Sequence, residues 1–455
     1  LHGNYQYIYN LPSRRIVNVI KPIMKPLLNA LVTALILISF QAVAQEGITK
    51  YIPSAKPERI VLNITGDQGT TMAVTWRTDT TVSESVARIS RNISGVLRAD
   101  SAMAVTGKSE DITADGVTAR FHSVIFTGLV PGTGYSYCVG SGPDASEWFT
   151  FKTAEAGAAP FSFLWFGDSQ VGPISSYARV IRQAYRSVPE AAFMIFTGDL
   201  VDGGYAGNTL DDEWGDWHRA AGFIASEVPV AATPGNHEFY NPHDRQKRDL
   251  NMYWRPGFTL PENGPAGLEE TAYSFDYQGV RFIMVSSDQM LRDEAIARSQ
   301  TEWVESLLKN NPCKWTVMAF HHPFFSTAAR RNNKVVRENL KPLVDRYGVD
   351  LVLNGHDHTY ARGVVMPDGA EQRGRRAGTV YVVSVSGSKQ YSQDAAPWWE
   401  AGYTNTQLWQ AITIDGNRLI YKAFDASGAL ADQFMLTKMK NGSNRIGLPP
   451  EVKTR

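Results

Sequence analysis

The sequence predicts two domains in series, an all-β sandwich followed by an α/β domain of two packed mixed sheets flanked by helices. Three observations lead to this prediction. Short stretches of β-branched and aromatic residues separated by turns recur up to Thr153, as they do in antiparallel sandwiches. From Phe161 onwards, apolar runs alternate with helical patterns, as in sheets covered by helices. The small-residue segment 154–160 separates the two patterns.

The composition is that of a globular protein without a nucleic-acid-binding surface. The chain has 455 residues, 43% of them apolar and 20% charged, enough to form sizeable cores. Without the four basic residues that precede Gln45, the chain keeps 41 of its 45 basic residues against 45 acidic ones, a formal charge of −4. Binding of duplex nucleic acid requires clustered Lys and Arg, so a mildly acidic chain argues against this function.

Residues 24–44 have the pattern of a secretory signal peptide. The basic residue Lys25 is followed by the apolar run 27–40, and the segment ends in Ala-Val-Ala before Gln45. The alternative is a membrane anchor, but the run is shorter than the ~20 residues of a bilayer span and contains Asn29. We therefore expect a secreted or periplasmic protein with no stable membrane anchor after cleavage.

Cys138 and Cys313 are the two cysteines of the sequence. They could form a disulfide in an exported chain, but two isolated cysteines do not make a disulfide framework. Both stand beside strand-like residues, and for this reason we expect free, buried thiols.

Residues 56–154 carry the strand patterns of the sandwich. The predicted strands are "ERIVLNIT", "TMAVTWRT", "HSVIFTGL", "YSYCVGSG" and "EWFTFKT". In "TGLVPGTGYSYCVG", the positions of Leu129, Pro131, Gly132 and Tyr135 resemble those at the last strand pair of fibronectin type III domains. This resemblance implies a fibronectin III-like sandwich.

Residues 160–437 carry alternating strands and helices, and residues 438–455 are predicted to be a loose, basic tail. Polar clusters follow the strand ends, where ligands bind in open α/β sheets. The predicted helices are "SSYARVIRQAYRSV", "RSQTEWVESLLKNN" and the first part of "NLKPLVDRYGVDLVLNGHDH". The predicted strands are "FSFLWFGD", "AAFMIFTGD", "VPVAATPGNHE", "WTVMAFHHP", the second part of the same long segment, and "GTVYVVSVSG".

Five clusters of ligand-type residues stand at these strand ends. Each lies beside a glycine or before a proline, on a tight turn where side chains can converge. Carboxylates, an amide oxygen and imidazoles together suit Fe, Zn or Mn better than Ca, Mg or Cu(I). Each cluster alone could be a helix cap, a turn or a packed histidine, but five in series favour a metal site. The clusters are Gly167-Asp168-Ser169-Gln170, Gly198-Asp199, Gly235-Asn236-His237-Glu238, His321-His322-Pro323 and Gly355-His356-Asp357-His358.

The order GD, GD, GNH(D/E), HxP, GHxH resembles that of the calcineurin-like metallophosphoesterases. The sandwich, together with "YSFDYQGVRFIMVSSD" and "GHDHTYAR", is similar to the purple acid phosphatase branch. The resemblance covers nearly all of residues 56–436 and implies a metallophosphoesterase fold for the second domain. It also implies an acid phosphatase-like phosphoric ester hydrolase with two divalent or mixed-valence ions of Fe, Zn or Mn. Small phosphomonoesters would be hydrolysed by a hydroxide that bridges the metals.

The resemblance assigns a metal-ligating role to six residues. Asp199 would bridge the two ions and so take part directly in catalysis. His321 is favoured over His322 because the family's ligand stands two residues before a proline, here Pro323. The first ion would be held by Asp168, Asp199 and His358, and the second by Asp199, Asn236, His321 and His356.

The resemblance also suggests residues that act on the substrate. His237 matches a histidine that lies outside the metal shell near the scissile phosphate, and it would protonate the leaving group with help from Glu238. Arg330 and Arg331 stand where some relatives have phosphate-binding histidines, although an exposed arginine pair is more often simply solvated. Tyr360 would either line the cleft or pack in the core.

Two positions depart from the family pattern. Asp202 replaces the tyrosine that binds Fe(III) in purple acid phosphatases and gives them their colour, so no purple chromophore is expected. Asp202 would either be a metal ligand itself or, as in other branches of the superfamily, lie outside the metal ligands and contact them from behind. Gln170 replaces a histidine ligand of many metallophosphoesterases, and its amide would either ligate a metal weakly or form a strand-end hydrogen bond.

Three functions remain open from the sequence. The leading prediction is an exported binuclear phosphomonoesterase. A phosphodiesterase or nucleotidase of the same fold is the first alternative, and a degenerate protein that binds a surface through its sandwich is the second. The ligand positions are filled by competent residues except at the missing tyrosine, which favours an enzyme.

Overall fold

The predicted fold class is confirmed by the computed structural model, an N-terminal β domain followed by an α/β domain with mixed sheets. The model describes residues 48–204, 208–239, 248–367, 376–396 and 398–450. The predicted signal peptide, residues 24–44, lies outside this part of the chain. No helix within the described residues is long and apolar enough to cross a membrane.

The N-terminal domain is a sandwich whose core lies between two sheets. Leu62, Trp76 and Val124 on one sheet pack against Tyr137 and Phe149 on the other. The five predicted strands are present, and three further strands were not predicted. One of these three, "KSEDITA", is largely exposed and has no apolar alternation that would indicate a strand. The strands are β1 (Glu58–Asn63), β2 (Met72–Thr78), β3 (Val86–Arg91), β4 (Met103–Thr106), β5 (Lys108–Ala114), β6 (Val117–Phe126), β7 (Gly134–Val139) and β8 (Phe149–Lys152), with a 3₁₀ helix at Gly142–Asp144.

The α/β domain contains all the predicted strands and helices. Its first half consists of β9 (Phe161–Phe166), α1 (Tyr177–Ser187), β10 (Met194–Phe196), α2 (Leu210–Ala221), α3 (Ile224–Glu227), β11 (Val230–Ala232), α4 (Trp254–Gly257), β12 (Tyr273–Tyr277) and β13 (Val280–Val285). Its second half consists of α5 (Ser287–Arg292), α6 (Glu294–Lys309), β14 (Trp315–Phe320), α7 (Lys334–Tyr347), β15 (Leu351–Asn354), β16 (Tyr360–Val365), β17 (Arg376–Ala377), β18 (Thr379–Val383), β19 (Ala401–Tyr403), β20 (Leu408–Asp415), β21 (Arg418–Asp425), β22 (Leu430–Lys438) and β23 (Asn444–Gly447).

Two mixed sheets of this domain pack face to face. In one sheet, β13, β14, β15 and β18 run parallel, and in the other, β9, β10 and β11 run parallel. Phe282 packs towards the opposite sheet together with Phe163, whereas its neighbour Ile283 packs with Val304 of α6 and Leu340 of α7. Because both faces of such a strand are buried, its sequence is a continuous apolar run.

The sandwich continues into the α/β domain through a shared sheet. Strand β1 pairs in parallel with β11 at Asn63 and Val230, and the amide of Ile64 donates to the Val230 carbonyl at 3.0 Å. On its other side β1 pairs with β2. Within the described residues this gives a single sheet in the order β17-β23-β22-β21-β20-β9-β10-β11-β1-β2-β6-β5.

A buried ion pair also joins the sandwich to the first turn of α2. The fully buried Arg77 of β2 donates from Nη1 to Asp211 Oδ1 at 2.7 Å. Arg59 Nη1 lies 2.8 Å from the same oxygen, and Thr49 Oγ1 donates to Asp211 Oδ2 at 2.8 Å. Asp211 therefore accepts hydrogen bonds from three groups while its charge lies at a helix N-terminus, where the helix dipole favours an anion.

The structure differs from the sequence prediction at the C-terminal end and at one cysteine. Residues 438–455 were expected to be loose, but β23 within them pairs with β22 and β17, so residues 444–447 are part of a sheet. Both cysteines are free, and Cys138 is buried as expected, whereas Cys313 is only half-buried.

The Arg77 pair gives a stability prediction. Replacing Arg77 with Met leaves the buried Asp211 carboxylate without one of its cations, and removal of one partner of a buried pair costs about 3–5 kcal/mol. Urea unfolding of Arg77→Met should therefore show a loss of this size in the free energy of unfolding. Arg98→Met, which removes an exposed ion pair with Asp100, should change it by less than about 1 kcal/mol. Equal effects of the two changes would contradict the prediction.

Candidate metal centre

The carboxyl ends of five strands from the two packed sheets meet at one edge of the domain. Asp168 follows β9, Asp199 follows β10 and Asn236 follows β11, while His321 follows β14 and the histidine pair follows β15. All six predicted ligands are brought together there. Two groups have ligand atoms within 4.8 Å of one another, namely Asp168 with Asp199 and His358, and His321 with His322 and His356.

The first group contains two acceptor atoms that face each other. His358 Nδ1 lies 2.9 Å from the Lys389 carbonyl and donates to it, which leaves a lone pair on Nε2. This Nε2 lies 3.1 Å from Asp168 Oδ2, a fully buried oxygen without a hydrogen-bond donor. Two lone pairs at this distance repel each other unless a proton or a cation lies between them, so the pair fits a metal ion.

The second group is built around His321 Nε2. His321 Nδ1 donates to the Thr197 carbonyl at 2.8 Å, so Nε2 is directed at the other ligands. It lies 3.2 Å from Asp199 Oδ2, 3.1 Å from Asn236 Oδ1 and 3.0 Å from His356 Nδ1. In this tautomer His321 Nε2, Asp199 Oδ2 and Asn236 Oδ1 are all acceptors, and together with the adjacent His356 Nδ1 they fit a second cation.

His322 also has a ligand atom in the second group, but its ring is held differently from that of His321. Its Nδ1 lies 3.0 Å from Ser287 Oγ, and its ring centroid lies 4.2 Å from that of His356. His321, by contrast, has its free nitrogen next to Asp199 and Asn236. The geometry therefore agrees with the preference for His321.

The electrostatics of the ligand set favour positive charge. Burial raises the pKa of the Asp168 carboxyl to about 7. Burial disfavours charge on His321, but the charges of Asp199 and Asp168 outweigh it and raise the pKa of this imidazole to about 10. In the absence of a cation, protons would therefore occupy the positions that the carboxylates offer to a metal.

Three ligand residues have strained backbones. Asp199, His356 and His358 have φ angles of 51°, 75° and 49°, and such conformations of non-glycine residues cost about 1–3 kcal/mol each. Two of the glycines that open the ligand motifs are required by close approach. A Cβ on Gly235 would overlap with Asp199 Oδ1, and a Cβ on Gly355 would overlap with Asp168 Oδ1. The crowding of the two carboxylates explains why glycine opens these motifs.

Glu238 fixes two of the ligand loops. It is fully buried, and its carboxylate accepts hydrogen bonds from the amides of Asp199 at 2.8 Å, Leu200 at 2.7 Å and Gly235 at 2.7 Å. The sequence suggested that Glu238 poises His237. Its observed hydrogen bonds are instead to the backbone, where they hold the β10 and β11 loops together.

His237 lies next to the centre and is oriented by Asp202. Its Nδ1 donates to the Asp202 carbonyl at 2.7 Å, and its Nε2 lies 3.9 Å from Asp199 Oδ2. The Asp202 carboxylate lies 3.7 Å from His237 Nδ1 and 3.9 Å from Lys389 Nζ. Of the two predictions for Asp202, a position behind the ligands is the one that the geometry fits.

Gln170 lies against the first group. In the amide orientation that satisfies both of its ends, the nitrogen donates to the Val201 carbonyl at 3.1 Å and the oxygen accepts from Lys389 Nζ at 3.2 Å. The same oxygen then lies 3.2 Å from His358 Nε2. Gln170 therefore points an oxygen at the first group, where it could serve as a weak ligand.

Arg331 holds the last ligand turn from behind. Its Nη1 donates to the His356 carbonyl and lies 3.3 Å from Asp357 Oδ1. Its guanidinium also lies over the Tyr391 ring, 4.9 Å from the centroid. These contacts engage the head group in fixing the turn, so Arg331 acts on His356 rather than offering a free cation to a substrate.

The other two substrate candidates lie in different surroundings. Arg330 is exposed, with a φ of 63°. Tyr360 is fully buried, and its hydroxyl donates to Asp432 at 2.8 Å. Of the two predictions for Tyr360, packing in the core is the one that fits, because a hydroxyl bonded in the interior cannot line an open cleft.

Sequence reasoning missed a sixth segment, residues 386–391 after β18. The amides of Ser386 and Gly387 donate to the Asp168 carbonyl at 3.1 and 2.6 Å. The Lys389 carbonyl accepts from His358, and the Tyr391 ring lies 4.6 Å from the His358 ring between centroids. The available signal was a further glycine at the end of a buried strand, but the segment contains no carboxylate and no imidazole.

Comparison with protein families supports the two-domain organisation. Residues 161–360 match the family described as calcineurin-like phosphoesterase, and residues 57–153 match the family described as purple acid phosphatase, N-terminal domain. Among solved structures, purple acid phosphatase PPD1 from yellow lupin (Lupinus luteus) seeds has a TM-score of 0.68 at 18% identity, covering 85% of this chain and 75% of that one. A structure named PhoD has a TM-score of 0.62 at 12% identity, covering 89% and 94%. These two likenesses concern the fold.

Three curated relatives are 26% or 27% identical to this chain. Probable purple acid phosphatase 20 of Arabidopsis thaliana is 27% identical, covering 67% of this chain and 69% of the relative. Human acid phosphatase type 7 is 27% identical, covering 68% and 71%. An uncharacterized protein of Mycobacterium tuberculosis is 26% identical over 64% of this chain, which spans 59% of that relative's length.

The family matches agree with the geometry of the centre. Within residues 161–360 lie the five strand ends that bring Asp168, Asp199, Asn236, His321, His356 and His358 together. The sandwich that shares a sheet with them is the domain matched in front. The chain therefore carries a calcineurin-like phosphoesterase domain preceded by a purple acid phosphatase N-terminal domain, and it is similar to purple acid phosphatases.

Proposed function

We propose that this protein is a binuclear metal-dependent phosphatase that hydrolyses small phosphomonoesters. The proposal rests on one observation above all: the acceptor atoms of six buried or half-buried side chains converge as two groups, and Asp168 Oδ2 has no hydrogen-bond donor. Buried acceptor atoms this close are stable together only when protons or cations lie between them. The matches of the two domains to family models support the same chemistry.

The donor set fits two ions of Fe, Zn or Mn. Carboxylate oxygens and imidazole nitrogens are mixed in both groups, which excludes an oxygen-only site for Ca or Mg. When bound, such a pair of ions lowers the pKa of a shared water so that it can attack phosphorus, and it neutralises the phosphate oxygens. The first ion would be held by Asp168, Asp199 and His358, and the second by Asp199, Asn236, His321 and His356.

Two residues have distinct roles in this proposal. Asp199 belongs to the first group and also places Oδ2 at 3.2 Å from His321 of the second, so it would join the two sites. His237 would protonate the leaving alkoxide from Nε2, since its Nδ1 is engaged with the Asp202 carbonyl. Because the Asp202 carbonyl holds Nδ1, Nε2 is directed at the centre. In the doubly protonated ring, Nε2 would carry the proton that is transferred.

Two alternatives differ from this proposal in substrate or in kind. A phosphodiesterase or nucleotidase would use the same ligands, because selection between esters depends on the residues around them. A degenerate binding protein is opposed by the filled ligand set.

We further propose a secreted or periplasmic location from the signal-peptide pattern of residues 24–44; a mature chain beginning at Gln45 in the exported fraction would support it.

Metal analysis combined with turnover of two model substrates tests the function. We expect about two transition-metal equivalents per chain and hydrolysis of p-nitrophenyl phosphate at a higher kcat/KM than bis(p-nitrophenyl) phosphate. Preference for the bis ester would favour a phosphodiesterase. Purified protein that binds no metal and hydrolyses neither compound would overturn the enzyme proposal.

His237→Ala should keep its metal and lose turnover. The imidazole is outside both ligand groups, so metal content should match the wild type, whereas loss of a general acid should lower kcat about 10²- to 10⁴-fold. His321→Ala serves as the matched comparison, because it removes a ligand and should lower metal content as well. If His237→Ala loses as much metal as His321→Ala, then His237 is a ligand.

Asp199→Asn should reduce metal binding at both sites. The substitution keeps the backbone amide that donates to Glu238 but removes the carboxylate shared by the two groups. Metal content at equilibrium should fall towards zero, whereas Asp168→Asn should lower it by about one equivalent, because Asp168 belongs to one group only. One tightly held equivalent in Asp199→Asn would speak against a bridging role.

A further inference from the structure

We propose that Lys389 binds the phosphate group of the substrate and makes the centre prefer monoesters over diesters. This inference rests on the proposed phosphatase function and names a residue that determines its specificity. Lys389 is part of the segment after β18, which sequence reasoning missed.

Lys389 is held at the first ligand group through its backbone. Its carbonyl accepts from His358 Nδ1 at 2.9 Å, and two residues earlier the Gly387 amide donates to the Asp168 carbonyl at 2.6 Å. Both residues to which the segment is bonded are ligands of the first group. The position of the lysine relative to that group is therefore set by the same hydrogen bonds that orient the ligands.

The side chain of Lys389 extends towards the centre. Its Nζ lies 3.2 Å from the Gln170 amide oxygen, which is itself 3.2 Å from His358 Nε2. On the other side, Nζ lies 3.9 Å from Asp202 Oδ1, and Asp202 holds His237 through its carbonyl. The ammonium group thus lies between the first ligand group and the proposed general acid.

The ammonium group has capacity for a further acceptor. A lysine carries three N–H donors, and the contacts of Nζ are to one neutral amide and, at a long distance, to one carboxylate. The side chain is 29% exposed, so it is not sealed from solvent. Lysine binds phosphate as a mobile point charge, which suits a group that has to exchange solvent for substrate.

Other cations near the centre are placed differently. Arg331 donates to the His356 carbonyl and lies 3.3 Å from Asp357 Oδ1. Arg248 Nη1 lies 3.5 Å from the Asn236 carbonyl, next to the second group. Among the residues that the structure describes, Lys389 approaches the first group from the side of His237.

The charge balance explains why this contact would distinguish substrates. Asp168, Asp199, Asp202 and Glu238 could supply four negative charges, which two divalent ions balance. A phosphomonoester adds close to two negative charges at neutral pH, since its second pKa is about 6, whereas a diester adds one. An additional ammonium group therefore stabilises the bound monoester more than the bound diester.

Lys389→Gln tests the contact while keeping the backbone carbonyl. A hydrogen bond to a charged group contributes enough that its loss should raise KM for p-nitrophenyl phosphate about 10- to 100-fold. The kcat/KM for bis(p-nitrophenyl) phosphate should change less than about threefold, and Lys389→Arg should restore most of the monoester affinity. Metal content should equal that of the wild type. Lys152→Gln, which removes a lysine paired with Glu155 on the sandwich, is the matched control and should change neither substrate.

Two kinetic results would contradict a phosphate contact that favours monoesters. An equal loss for both esters would mean that Lys389 only neutralises Asp202 and positions the loop, and unchanged kinetics would exclude any role at the centre. Calorimetric binding of inorganic phosphate to the metal-loaded proteins separates this inference from the proposed function. A wild type that binds phosphate but hydrolyses neither ester contradicts the function alone. Equal phosphate binding by the wild type and Lys389→Gln, or no binding by either, overturns the inference.

Discussion

The repulsion between lone pairs at the strand ends is the constraint on which the rest of the structure depends. Asp168 Oδ2 and His358 Nε2 face each other at 3.1 Å, and His321 Nε2 faces Asp199 Oδ2 at 3.2 Å. Buried acceptors at such distances destabilise the fold unless positive charge lies between them. The surrounding protein must therefore hold in place an arrangement that its own ligand atoms oppose unless protons or cations lie between them.

Several features outside the ligand set provide this rigidity. The Glu238 carboxylate gathers amides from the β10 and β11 loops, and Arg331 fixes the turn that carries His356 and His358. The strained backbone at Asp199 and at both of these histidines persists because such contacts over-determine it. Strain is thus concentrated at the residues that have to converge, while the flanking strands are regular.

The sandwich contributes to the same rigidity through sheet pairing and through α2. Strand β1 extends the sheet that carries three of the ligand-bearing strands. Arg77 anchors Asp211 in the first turn of α2, and in the same turn Glu213 accepts from the Gly204 amide at 3.1 Å. Gly204 belongs to the loop of Asp202, whose carbonyl orients His237. The N-terminal domain is therefore connected to the proposed general acid through a short series of hydrogen bonds.

The sequence by itself determined the fold class, the order of the principal strands and the five clusters at strand ends, because each follows from local patterns: apolar runs, and Asp, Asn or His beside a glycine or before a proline. The choice of six ligands within those clusters came from the family resemblance. It did not determine the position of Lys389, the burial of Tyr360 or the backbone role of Glu238, and it treated the sandwich as separate. These features depend on contacts between distant residues, such as Arg77 with Asp211 or Lys389 with His358. A local pattern specifies which residues stand at a strand end, whereas only the packing of two sheets decides which of them face one another.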